Sequence, residues 1–133
     1  MKRKILAFLS VCILACTTFC LFGCGLSKKR VVIEIDEPVQ SGTTLLTVME
    51  EMRDGGELKF EMQNGEIISI NERENGEVEN CIWVLYTSDG GMANLEQGTL
   101  EYKGQKLGKA TLSADELLVE FGELYIWAYE SEK

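Results

Sequence analysis

Glu72, Glu74, Glu77 and Glu79 crowd one polar stretch, and carboxylates so spaced can serve as acid and base or hold a cation. Neither chemistry fits well. Aligning Asn75-Gly76 with the fifth and sixth positions of an EF-hand loop puts Arg73 at the third and Ile82 at the twelfth, where oxygen ligands are needed. A polar loop also lacks the apolar surroundings that raise a carboxyl pKa for acid catalysis. Lys103, Lys106 and Lys109, set among Gly104 and Gly108, do not have the spacing of a phosphate-binding loop. The chain contains no histidine, which removes histidine triads, histidine bases and the commonest metal ligand together. Cys81 leads an apolar run, where the default role of cysteine is a small apolar side chain. The expectation is a protein that is not an enzyme, with no metal and no resident cofactor.

Cys24 is the residue whose setting does point to chemistry. It ends an uncharged, largely apolar run from Ile5 that follows Met1-Lys2-Arg3-Lys4, and Leu21-Phe22-Gly23-Cys24 resembles a bacterial lipoprotein signal. Cleavage there makes Cys24 the first residue of the mature chain. A diacylglycerol on its sulfur, with palmitate-like chains, then anchors the protein at about 0.8 kcal/mol per buried CH₂. Two alternatives stand beside this one. Ile5 to Ser27 is long enough to span a bilayer as an uncleaved anchor, and Ile13-Leu14-Ala15-Cys16 offers a second cleavage pattern. All three export the same domain, so the expected location is the cell membrane, lipid-anchored on its extracytoplasmic face. The chain divides into a signal peptide, 1–23, a lipidated cysteine with a short basic tether, 24–29, and a domain, 30–131.

Removal of residues 1–23 takes three bases and no acid, leaving ten bases against 22 acids and a formal charge of −12. Such a surface repels phosphate backbones, so no nucleic-acid partner is expected. About 110 residues suffice for one modest core. Only Cys81 would remain unmodified, which leaves no intramolecular disulfide. The tether reaches roughly 20 Å when extended, and Lys28, Lys29 and Arg30 along it can meet anionic headgroups or simply keep a linker soluble.

Those residues need elements to position them. Arg30 to Asp36 reads as a strand with Val31, Ile33 and Ile35 on one face, and Pro38 ends its pairing. Thr43 or Thr44 can cap a helix whose apolar side is Leu45, Val48, Met49 and Met52, stopped by Gly55-Gly56. Glu57 to Met62 alternates, Asn64-Gly65 makes a type I′ hairpin turn, and Ile67 to Asn71 returns. Residues 72–79 read as a solvated acidic loop. Cys81 to Thr87 and Leu124 to Tyr129 read as central strands, apolar on both faces. Between them, Met92 to Ala110 reads as a long loop or loose hairpin with one strand-like run, Thr99 to Tyr102. Ser113 and Glu116 have capping-box spacing for a brief helical turn. The order predicts an α+β, β-grasp-like fold, a mixed sheet with one packed helix.

Five aromatics lie in the two central strands: Trp83, Tyr86, Tyr125, Trp127 and Tyr129. Core packing is their ordinary role. If the face opposite the helix is uncovered, those on it form a platform for a planar ligand or a partner protein.

At these residues the chain resembles the C-terminal domain of transcobalamin and intrinsic factor, and more closely the small bacterial lipoproteins that carry this transcobalamin-like domain alone. The resemblance rests on Gly42-Thr43-Thr44-Leu45-Leu46-Thr47-Val48-Met49, on Ile67-Ile68-Ser69-Ile70-Asn71 followed by Glu72 where a glycine is usual, on Trp83-Val84-Leu85-Tyr86 before Asp89-Gly90, and on Gly122-Glu123 before Trp127-Ala128-Tyr129. It implies a soluble-ligand-binding β-grasp that covers one side of a ligand such as cobalamin or a related corrinoid, with the aromatics above as the candidate site. The resulting expectation is an anchored binding lipoprotein that captures a small ligand for a transporter. The alternative is an envelope protein-interaction or surface-display module with no small-molecule ligand.

Overall fold

The computed structural model describes residues 29–131; Cys24, Cys16, the apolar run and most of the tether lie outside the described residues. Eight strands and one helix follow in the order β1 (Arg30–Glu34), α1 (Leu45–Asp54), β2 (Phe60–Gln63), β3 (Glu66–Ile70), β4 (Arg73–Glu74), β5 (Cys81–Thr87), β6 (Ala93–Tyr102), β7 (Gln105–Ala110) and β8 (Leu124–Ser131). They form a five-stranded sheet, β1-β8-β5-β7-β6, and a three-stranded sheet, β2-β3-β4. The α+β class holds. The expected mixed sheet does not: every strand pair among the described residues is antiparallel, because β1 runs against β8 and the remaining large-sheet strands pair as antiparallel neighbours. Among the described residues no helix is long and apolar enough to cross a membrane.

Alternation within the strands decides the two faces. Ile33 and Ile35 of the first strand region, Trp83 and Leu85 of β5, and Tyr125, Trp127 and Tyr129 of β8 join Leu45 and Met49 of α1 in the main core. The small sheet adds Phe60, Ile67 and Ile70, and the segment before β8 adds Ala114, Leu117 and Val119. β5 and β8 are central, as their apolar composition requires.

Thr44 caps α1, its hydroxyl accepting the Thr47 N–H at 3.2 Å. Two further first-turn donors find carbonyls in the segment before β8: Leu45 N–H reaches Leu117 O at 2.8 Å and Leu46 N–H reaches Ala114 O at 2.9 Å. This clamps a ten-residue helix too short to persist alone. The same segment makes a single turn, in which Leu117 N–H bonds Ser113 O at 2.9 Å. The helix ends at Gly55, and Gly56 takes the left-handed conformation at φ 82°.

Of the two forms expected for Met92 to Ala110, a long loop or a loose hairpin, the chain takes the hairpin. What departs from expectation is the length of its paired strands, ten residues in β6 and six in β7. Two features hid it. Its turn is Lys103-Gly104, with both residues at positive φ (50° and 79°), and lysine carries no turn signature. The register also shifts between Asn94 and Thr99, where the Asn94 carboxamide oxygen accepts from Glu96 and Gln97 N–H and breaks the alternation.

The turn from β3 into β4 places Asn71 at φ 50° and Glu72 at φ 71°. Glu72 therefore carries a side chain in a region that costs an L-residue about 1–2 kcal/mol. Glycine would relieve that cost and lose about 0.5–1 kcal/mol to chain entropy. The ion pair of Glu72 with Lys59, at 3.3 Å, is exposed at both ends and contributes little. We expect Glu72→Gly to stabilise the fold by about 0.5–1 kcal/mol in urea unfolding; a loss of stability would contradict this account of the turn.

Candidate functional site

The five aromatics named from sequence are all buried, none more than 7% exposed, and they divide between the two faces of the large sheet. Trp83, Tyr125, Trp127 and Tyr129 point into the main core. Tyr86 points the other way, into a second cluster with Val84, Leu107, Leu124, Ile126 and Ala128. The condition for an open platform is not met. The β6–β7 hairpin lies over that second face, bringing Leu100, Tyr102 and Leu107 onto it, and an added Cβ at Gly98 would lie 3.5 Å from the Tyr86 hydroxyl. The Tyr86 hydroxyl donates to the Glu130 carboxylate at 2.9 Å.

The acidic stretch is not a loose solvated tip but a strap over two of the aromatics. Arg73 and Glu74 form β4, pairing with Ile70 and Ser69. Trp83 Nε1 donates to Arg73 O at 2.7 Å, and the Tyr129 hydroxyl donates to Glu74 O at 2.7 Å while accepting Val78 N–H at 3.1 Å. Asn75 ties the strap on both sides: its Oδ1 accepts Trp83 N–H at 2.8 Å and its Nδ2 donates to Ile67 O at 3.2 Å. The Arg73 guanidinium lies 5.2 Å from the Tyr129 ring centre, and that ring sits 5.1 Å from Trp83 at a tilt of 55°. Glu72, Glu74, Glu77 and Glu79 remain exposed and turned to water. Among the described residues no group of three or more acids and cysteines is placed to hold a metal. Cys81 is a half-buried free thiol at the start of β5.

Beside the strap is a cleft of about 310 Å³. Trp83 and Trp127 both line it, diagonal neighbours on one face because Leu85 is the register partner of Trp127 and Trp83 that of Tyr129. Ile67 and Gly65 close one side, and Ala110, Leu112 and Ala114 the other. A smaller depression, about 240 Å³, lies over Gly56 to Lys59 with Asn71 and Glu72. Burial raises the Glu57 carboxyl pKa there.

The two indoles differ in one respect that composition could not reveal. Trp83 N–H is bonded to the strap, whereas Trp127 Nε1 is buried with no partner. An unpaired buried donor costs about 1–3 kcal/mol. Trp83→Phe therefore loses a bond, while Trp127→Phe removes an orphan. We expect Trp83→Phe to be the more destabilising by roughly 1–2 kcal/mol in matched urea titrations; equal losses would mean that the Trp127 N–H is satisfied in solution.

Comparison of the chain with protein-family models, with curated proteins and with solved structures returns no match.

Proposed function

We propose that this protein is an extracytoplasmic binding module, lipid-anchored through Cys24, that captures a small soluble ligand and passes it to a transporter. A transcobalamin-like β-grasp is the fold proposed for it. The observation that carries the reading is the cleft beside the strap, lined by Trp83 and Trp127. The two indoles give the cleft flat apolar surfaces, and Glu66, Asn75, Lys109 and Ser113 add polar groups to its lining. The signal-like run before Cys24 and the short tether support the address. A corrinoid is the ligand class that the sequence resemblance brings. So large a molecule would exceed the cleft and be gripped along one side.

The test is thermal melting of the full chain in detergent with cobalamin or cobinamide. A ligand at a hundred times its Kd adds about 2.7 kcal/mol, a shift of several degrees. Indifference to both at high concentration removes corrinoids from the proposal. Acyl labelling should vanish in Cys24→Ala, and labelling that persists refutes modification at Cys24.

A second reading, docking to an envelope protein, is favoured by one stretch. Phe121 is 59% exposed and Leu118 42%, both just before β8. This aromatic was not among those singled out from sequence, since a lone phenylalanine beside a Gly-Glu turn carries no periodic signal. Membrane pull-downs that lose a partner with Phe121→Ser, without loss of folding, would support docking; retention of every partner would sink it.

A further inference from the structure

We propose that two copies of this chain pair edge to edge through β1, antiparallel about Val32, to form a two-fold dimer with one continuous sheet. The pairing goes beyond ligand capture and does not depend on what the cleft binds. β1 ends the large sheet, with β8 on one side and, among the described residues, no strand on the other. An open strand edge is a template for a further strand, and proteins guard it with a bulge, a very short strand or charge. The other edges among the described residues are interrupted or short. The register of β6 shifts between Asn94 and Thr99, that of β2 shifts between Glu61 and Met62, and β4 is two residues long. β1 keeps an unbroken register with β8 from Arg30 to Glu34.

The outward backbone groups of β1 follow from the bonds it already makes. Tyr129 N–H donates to Lys29 O at 2.8 Å and Ile35 N–H donates to Glu123 O at 3.2 Å, so alternate residues from Lys29 to Ile35 bond the β8 side. In an antiparallel pair the residues between them turn N–H and C=O away, and here these are Arg30, Val32 and Glu34. No backbone bond among the described residues occupies those groups.

Charge identifies the occupant. Arg30 and Glu34 stand equally far on either side of Val32, both are exposed, and among the described residues neither has an ion-pair partner. Charge of one sign along the edge would repel a second copy. Rotation about Val32 instead sets Arg30 opposite Glu34 of the second copy, and Glu34 opposite Arg30 of the second copy, in hydrogen-bonded pairs whose side chains are neighbours. The sequence continues the asymmetry, with Lys28 and Lys29 before the strand and Asp36 and Glu37 after it. A parallel arrangement in register would face base with base. Each copy thus presents the same patch to the other, as a two-fold interface requires.

Reversing the charges tests the pairing. The full chain in density-matched detergent is followed by sedimentation equilibrium up to about 1 mM, because so short an edge makes a weak contact. The unaltered chain should dimerise, and Arg30→Glu and Glu34→Arg should each weaken the dimer about tenfold as opposite charges become like charges across the strands. Combining both substitutions in one chain should restore dimerisation. Mixing the two single variants should also give the dimer that neither makes alone, a rescue that a role within one chain does not produce. Val32→Pro removes an outward N–H and spares the bonds to β8, so it should abolish the dimer while near-ultraviolet dichroism reports an intact fold. If that variant does not fold, the charge exchange still decides. A chain that stays monomeric at about 1 mM, a dimer indifferent to the reversals, or single variants that remain monomeric when mixed overturns the proposal. Indifference to corrinoids in the melting test would leave it standing.

Discussion

Leu107→Ala should lower the unfolding free energy by about 2–5 kcal/mol, the range for emptying a fully enclosed aliphatic site. Leu107 is 0% exposed and lies at the centre of the second cluster, opposite Leu100 in the β6–β7 register and among Val84, Tyr86, Leu124 and Ile126. That cluster is thin. Its outer wall is a single hairpin, joined to β5 by only the pairs Tyr86–Lys109 and Thr87–Gly108, so few neighbours can move in to fill the gap. Urea unfolding with an unchanged m-value measures the loss. Leu95, 55% exposed on the same hairpin, serves as the control, and Leu95→Ala should stay within about 0.5 kcal/mol. A loss below about 1 kcal/mol at Leu107 would mean that the hairpin does not seal this face, and the open aromatic platform would return.

Stability should also fall steeply between pH 10 and pH 12, for a reason found in two buried phenols. Burial pushes the Tyr125 pKa up to about 12; the Glu120 N–H donated to its oxygen at 2.9 Å opposes this, and the charges of Asp89, Glu123 and Glu120 add to it. Tyr86 is pushed well above the ordinary phenol range, first by burial and then by its bond to Glu130 and that carboxylate's charge. Below pH 10 both phenols are neutral whether the chain is folded or not, and the contribution is fully present. Above pH 10 the unfolded chain releases these protons while the folded chain keeps them, so unfolding gains about 1.4 kcal/mol per pH unit for each tyrosine. Equilibrium unfolding at pH 9, 10, 11 and 12 should trace this decline, and Tyr86→Phe should halve its slope. A flat profile to pH 12 would contradict the burial of both hydroxyls.

Local residue chemistry read most of the elements correctly. Val31, Ile33 and Ile35 on one face, the Thr44 cap, the Asn64-Gly65 turn and the central placement of β5 and β8 follow from period, capping and turn rules that act within a few residues. Where those signals weaken, the reading fails. Lys103-Gly104 turns as Asn64-Gly65 does, but the lysine hides it, and the Asn94 irregularity blurs the strand before it. The 72–79 stretch read as solvent-facing because its side chains are charged. Its backbone carbonyls and N–H groups, which composition does not record, are what bind the aromatics.

Sequence alone therefore determined the absence of histidine chemistry and that Tyr125, Trp127 and Tyr129 of β8 share one side. Tertiary structure decided whether the two sides of the sheet are covered. The bonds that answer this join residues far apart in the chain, such as Tyr129 to Glu74 across 55 positions and Trp83 to Arg73 across ten, and no local period encodes a partner at such a distance. The same pairing gives Trp83 a carbonyl for its indole and leaves Trp127 without one. Two residues of the same type thus acquire different roles, because hydrogen-bond satisfaction is a property of the assembled fold.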